Sequence, residues 1–190
     1  MHEFDHLLRR ARDRRLSARE IGLVEETLAK GLSANDAYRA LMIVGMVATP
    51  ERNSDAVARY LTDDDPTVAG QALHILNDVW GLGHNYRDDI LRLLCGVTGD
   101  EAGHATTKAL SSAARYLHRT AEWDATDRTI FTAMIDVALD ELRLPAQRMH
   151  AAVCLRNVMP RSTDEYGRPM PGTVEFDRVI LAAWDYLGEA

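Results

Sequence analysis

The sequence predicts an all-α chain, a row of about four helical hairpins with one extra helix at each end. Three observations predict it. Apolar residues recur at spacings of three and four along most of the 190 residues, which puts them on one stripe of a helix. Strand signals are missing: there is no sustained alternation of apolar and polar residues and no Asn-Gly or Asp-Gly hairpin turn. One local pattern, a helix start leading to Ala and a further apolar residue three or four places on, occurs four times.

An amphipathic helix over residues 3–15 opens the chain, with Phe4, Leu7, Leu8 and Ala11 on its apolar face. The first hairpin spans 17–49. Ile21, Val24 and Leu28 mark its first helix, and Ser33 with Asp36, an approximate capping box, starts the second, which carries Ala40-Leu41 and Val44. The second hairpin spans 54–82: Val57, Tyr60 and Leu61 come first, then Asp65-Pro66 and Ala72-Leu73 with Leu76. Asp65 accepts from free first-turn amides, and Pro66 gives up a donor that has no partner there. Gly81 then stops the helix in a left-handed conformation. The third hairpin, 87–120, has Ile90, Leu93, Leu94 and Val97, a start near Asp100-Glu101, and Ala109-Leu110 with Ala113. The fourth, 128–160, has Ile130, Met134, Ile135, Val137 and Leu142, then Leu144-Pro145 and Ala151-Ala152 with Leu155. A helix over 174–187 closes the chain. With the four alanines in register, the intervals are 32, 37 and 42 residues.

The stretch VARYLTDDDPTVAGQALHIL, Val57 to Leu76, resembles the HEAT-repeat (armadillo-like) family of α-solenoids: a first helix ending in Leu, an Asp-Pro-x-Val turn, and a second helix with Ala-Leu-x-x-Leu. The family favours arginine just after that Val. Ala69 stands there, and only the fourth unit restores it, with Arg148; the third unit lacks the Asp-Pro pair. The resemblance covers roughly residues 17–160. It implies one domain, a right-handed α-α superhelix whose second helices line a concave face. An irregular helical bundle shares the same stripe and stands as the alternative.

Composition narrows the function. Twenty-two Lys and Arg against 29 Asp and Glu give a net charge of −7, where general nucleic-acid binders carry a basic excess. Two cysteines, Cys95 and Cys154, form no paired motif, so neither a disulfide framework nor a cysteine-rich zinc site is expected, and a reducing, cytoplasmic setting fits. The longest apolar run, residues 41–48, is far below the ~20 residues that span a bilayer. No cofactor is expected and no metal. His2 and His6 are four apart without a third ligand, and Asp63-Asp64-Asp65 lacks the spaced ligands and central Gly of a calcium loop. Trp80-Gly-Leu-Gly-His84 lacks the third glycine of a dinucleotide fingerprint. No nucleophile is keyed to the His74–Asp78 pair, read as an exposed i, i+4 contact, and Cys154, four after His150, reads as a buried inert thiol. Arg9–Arg15 holds five arginines in seven residues, either a solvated capping helix or a phosphate grip.

If the hairpins stack, equivalent positions of the second helices line up. The position before the shared alanine holds Arg39, Gln71, Lys108 and His150; the position six after it holds Met46, Asp78, Arg115 and Asn157. These, apart from Met46, and His74 are the expected partner-binding ladder. Two loops add to it: Trp80 and Tyr86 in WGLGHNYR, and Tyr166 and Arg168 in the stretch 161–172, where Met170 is a further contact. Trp80 has a second role open to it, packing between units. The expected function is a non-enzymatic protein-binding scaffold, in its narrowest form an immunity or antitoxin-type inhibitor of a partner with a basic surface. The resemblance implies an enzyme alternative, an alkylpurine DNA glycosylase of HEAT-like type, with Trp123-Asp124 and Trp184-Asp185 as its aromatic and acidic residues.

Overall fold

A computed structural model describes residues 3–159 and 169–189, and among these the chain is all-helical with no strand. Ten α-helices follow in order: α1 (Glu3–Arg12), α2 (Ala18–Lys30), α3 (Ala34–Val47), α4 (Pro50–Ala58), α5 (Pro66–Leu73), α6 (Arg87–Cys95), α7 (His104–Arg119), α8 (Ala125–Leu139), α9 (Pro145–Val158) and α10 (Val174–Glu189). Short 3₁₀ turns at Arg59–Thr62 and Gly83–Tyr86 and a π-helical turn at His74–Val79 complete them. None of the helices is long and apolar enough to cross a membrane.

Local chemistry sets the helix starts. Ser17 opens α2 with a reciprocal capping box to Glu20. Asp65 accepts from the Thr67 amide at 2.8 Å with Pro66 in the first turn of α5. At α7 the cap position is Gly103, which has no side chain to offer. Asp100 reaches across the turn instead and accepts from the amides of Ala105 and Thr106 at 3.1 and 2.9 Å. Gly103 itself has φ +71°, and a Cβ there would lie 1.5 Å from Nε2 of Gln147, so only glycine fits where α7 and α9 begin. Gln147 in turn accepts from the Leu144 amide, serving α9 where Leu144 cannot.

Four expectations are corrected. Ser33 makes no side-chain bond to the α3 amides; its hydroxyl donates to Asp36 instead. α4 starts at Pro50, ahead of the expected boundary at 54, and Tyr60 and Leu61 fall in a 3₁₀ turn, where the Tyr60 hydroxyl donates to Leu28 O at 2.8 Å. α1 stops at Arg12, and Arg14 takes a φ of +55°. Leu142 lies beyond the end of α8 and is 97% exposed, so it belongs to no stripe. Gly81, with φ +74°, has the left-handed backbone expected of it.

The helices contact one another in two successions. Odd-numbered helices pack in order, α1 on α3, α3 on α5, α5 on α7 and α7 on α9; among even-numbered ones α2 packs on α4, α6 on α8 and α8 on α10. Leu41, Leu73, Leu76, Ile90, Leu93, Leu110, Leu117 and Phe131 fill one continuous core between them, each contributing roughly 1.5–3 kcal/mol by leaving water. Helix α5 meets α7 closely because residue 70 is glycine: a Cβ there would lie 3.0 Å from the Ala105 Cα.

Candidate functional site

The stripe of α7 that the core leaves uncovered carries Lys108, Ser111, Arg115 and His118, each three or four residues from the last. Arg115 and His118, together with Ser111 and Ala114, form one wall of a cavity of about 480 Å3. His150, Val153, Cys154 and Asn157 of α9 form the other.

The cavity's floor is tied together by polar contacts between side chains. Nε2 of His150 lies 3.0 Å from the Ser111 hydroxyl and 3.6 Å from the Cys154 thiol. Burial lowers the His150 pKa, which keeps the imidazole neutral at neutral pH. Burial, followed by the negative charge of Asp78, pushes the Cys154 thiol up to about 12. A thiol held so far above neutral pH supplies almost no thiolate, so this Cys–His pair has no activated nucleophile. The consequence is measurable: at pH 8 the folded protein should give one fast-reacting thiol with a disulfide reagent, the exposed Cys95, and Cys154 should react only after denaturation. Two fast thiols would show that the site opens.

One helix back, the π-helical turn aims Asp78 at α7. Its wide backbone ring is marked by the bond from the Trp80 amide to Ile75 O at 2.9 Å. The Asp78 carboxylate, with its side chain only 4% exposed, takes His74 Nδ1 at 2.7 Å and faces Nε of Arg115 at 3.6 Å. Neighbouring Asn77 donates to Ser112 O at 2.6 Å, which locks the turn onto α7. The His74–Asp78 pair is therefore not the exposed contact expected of it: the carboxylate is buried and ties the π-helical turn to α7.

The expected ladder is partly assembled. Arg115, His150 and Asn157 line one cavity, and His74 and Asp78 adjoin it through Arg115. Lys108 lies on the same stripe of α7, half-buried. Arg39 is not a free groove cation, because its Nε is held by Asp5 of α1 at 2.6 Å. Gln71 is 7% exposed, so it offers little surface. Trp80 and Tyr86 are partly buried against the core, and burial raises the Tyr86 pKa. Tyr166 and Arg168 lie outside the described residues, as does His2. Ser111, His118 and Cys154 were missing from the expected ladder, although the spacing from Lys108 through Ser111 and Arg115 to His118 marks one face of α7.

The remaining motifs have structural duties. Within the arginine cluster, Arg10 pairs with Glu20 and donates to Arg15 O. Trp123 packs against Phe131 and Tyr186, Asp124 caps α8 and pairs with Arg87, and neither lines the cavity. Trp184 is 42% exposed on α10. Asp65 is occupied as a cap, and its own amide donates to Asp63. Among the described residues no three His, Cys, Asp or Glu are grouped to hold a metal ion. No protein family, curated protein or solved structure matches the chain.

Proposed function

We propose that the chain is a non-enzymatic protein-binding scaffold: a short HEAT-like array, wound as a right-handed superhelix, whose odd-numbered helices form the docking face. The observation that carries this reading is the succession α3, α5, α7, α9, each packed on the next, which sets Arg115, His150 and Asn157 around one open cavity between α7 and α9. A preformed concavity with mixed apolar and polar walls suits the insertion of a partner's side chains.

An immunity-type role against a basic effector in the cytoplasm is the narrower form of the proposal. What favours it is the acidic excess: α2, α4, α8 and α10 each carry more carboxylates than Lys and Arg, and Asp63-Asp64-Asp65 adds three more. A surface of that sign speeds association with a positively charged protein.

Lys108→Glu combined with Arg115→Gln tests the docking face. The pair should abolish capture of the partner that the wild type retrieves from its native source, while circular dichroism and Tm stay within a few degrees of wild type. Capture of the same partner by both proteins would remove the face from the account. Arg39 is left out of the set, because a glutamate there would face Asp5 and loosen α1.

A further inference from the structure

Helices α7 and α9 contain Lys108, Arg115, Arg119, Arg148 and Arg156 and not one acidic residue, although the chain holds 29 of them. The α5 segment with its π turn adds a single carboxylate, Asp78, which is buried and already matched by His74 and Arg115. Of the cations of α7 and α9 only Arg115 lines the cavity between the two helices, and no carboxylate lines it; Arg148 turns away to Ala138 O and the Phe176 ring. We infer that the cavity between α7 and α9 receives an acidic segment of a protein partner, with a carboxylate seated on Arg115. This rests on the docking face proposed above and concerns the inserted segment, whatever the partner's overall charge.

The geometry suits that ligand. Arg115 is 51% exposed. Asp78 faces its Nε edge, so the guanidinium is oriented by a buried carboxylate before any ligand arrives. Its terminal N–H groups have no partner among the described residues, and a guanidinium pairs a carboxylate through two parallel bonds. The Asn157 amide and the His118 ring stand on the rim of the same cavity. Ala114 and Val153 add apolar lining beside the Ser111–His150–Cys154 contacts, which suits a hydrophobic side chain next to the acidic one. Lys108, seven residues before Arg115, sits about 10 Å away along α7 at 1.5 Å per residue, and it has no ion-pair partner among the described residues. Two carboxylates about 10 Å apart, seven positions apart on a helical segment, match both cations. A phosphate backbone fits less well. It needs a run of cations, whereas Arg115 is the one Lys or Arg that lines the cavity.

The test uses the full-length protein and three fluorescein-labelled probes: a helical peptide alternating Glu and Leu so that glutamates recur at i and i+7, its Lys-for-Glu counterpart, and a 20-base-pair DNA duplex. Fluorescence anisotropy is read at low and at physiological salt. The acidic peptide should bind, weaken with salt, and weaken about tenfold in Arg115→Gln. Asn157→Glu, an exposed change that leaves the core and the Asp78–Arg115 pair intact, should weaken it comparably, and Asn157→Lys should tighten it. An acidic peptide that binds equally to wild type, Arg115→Gln and Asn157→Glu overturns the site. Tighter binding of the duplex than of the peptide overturns the ligand class in favour of nucleic acid. Binding of the lysine peptide in place of the acidic one overturns the charge assignment. If Lys108→Glu with Arg115→Gln still loses its native partner in that case, the scaffold reading stands without the acidic segment.

Discussion

Phe131→Ala should lower the stability of the fold by about 4 kcal/mol, the size expected when a fully buried ring is removed and its site cannot collapse. In a chain of this length that corresponds to a Tm lower by roughly 8–16 °C. Phe131 has no exposure and is the largest fully buried side chain among the described residues. Its ring lies 5.0 Å from Trp123 and 5.9 Å from Tyr186, which are themselves 5.3 Å apart and edge-on. The three rings join the segment before α8, α8 itself and α10, so the Phe131 ring is one of the contacts that hold the last helix, beside its packing on α9. Loss of it should free α10 before the rest: amides of Phe176 to Tyr186 should exchange faster than those of α3 or α5. Phe131→Leu keeps most of the volume and should cost about 1 kcal/mol. A Phe131→Ala protein melting within two degrees of wild type would show that the aromatic cluster does not close this end.

Asp127→Ala should cost about 3 kcal/mol, through buried polar partners rather than lost volume. The carboxylate is 2% exposed. It accepts from the Tyr116 hydroxyl at 2.7 Å, from Arg87 at 3.4 Å and from the Asp124 amide at 3.1 Å, so one side chain of α8 ties α6, α7 and its own N-terminus. Removing it leaves the Tyr116 hydroxyl and the Asp124 amide without their acceptor, and it leaves Arg87 with Asp124 alone. Tyr116→Phe should cost about 1 kcal/mol. The double variant should be less damaged than the sum of the two, because each single change already breaks the shared bond. Additive losses measured by urea unfolding would mean that the two groups do not act together.

Much of this fold is legible in the chain, because helix starts depend on neighbours in sequence. Asp65-Pro66 and Pro145 mark α5 and α9 by chemistry that needs no tertiary context. Where the cap is supplied from further away, the reading drifts: α7 starts at His104, past the expected start near Asp100-Glu101, because Asp100 reaches across a glycine turn to amides five and six places on. Leu142 is in phase with the α8 stripe, and phase alone does not reveal that the helix ends at Leu139. The π turn is invisible to any periodicity, since contacts such as Asn77 with Ser112, 35 residues on, hold it. That turn also decides the site, because it buries Asp78 and turns an expected surface rung into the group that orients Arg115. Placing residues in register with a shared alanine finds the face; how near the next helix comes does not follow from it. Gly70 shows this, letting α7 close against α5 beside a Gln71 that has little exposure.

Hydrogen–deuterium exchange of the full chain, with and without the partner it captures, tests the docking face most directly. Slower exchange on binding should concentrate in α7 and α9, extending to the His74–Val79 turn, and leave the exposed amides of α2, α4 and α10 unchanged. Slowing confined to the even-numbered helices, with α7 and α9 exchanging as in the free protein, would contradict it.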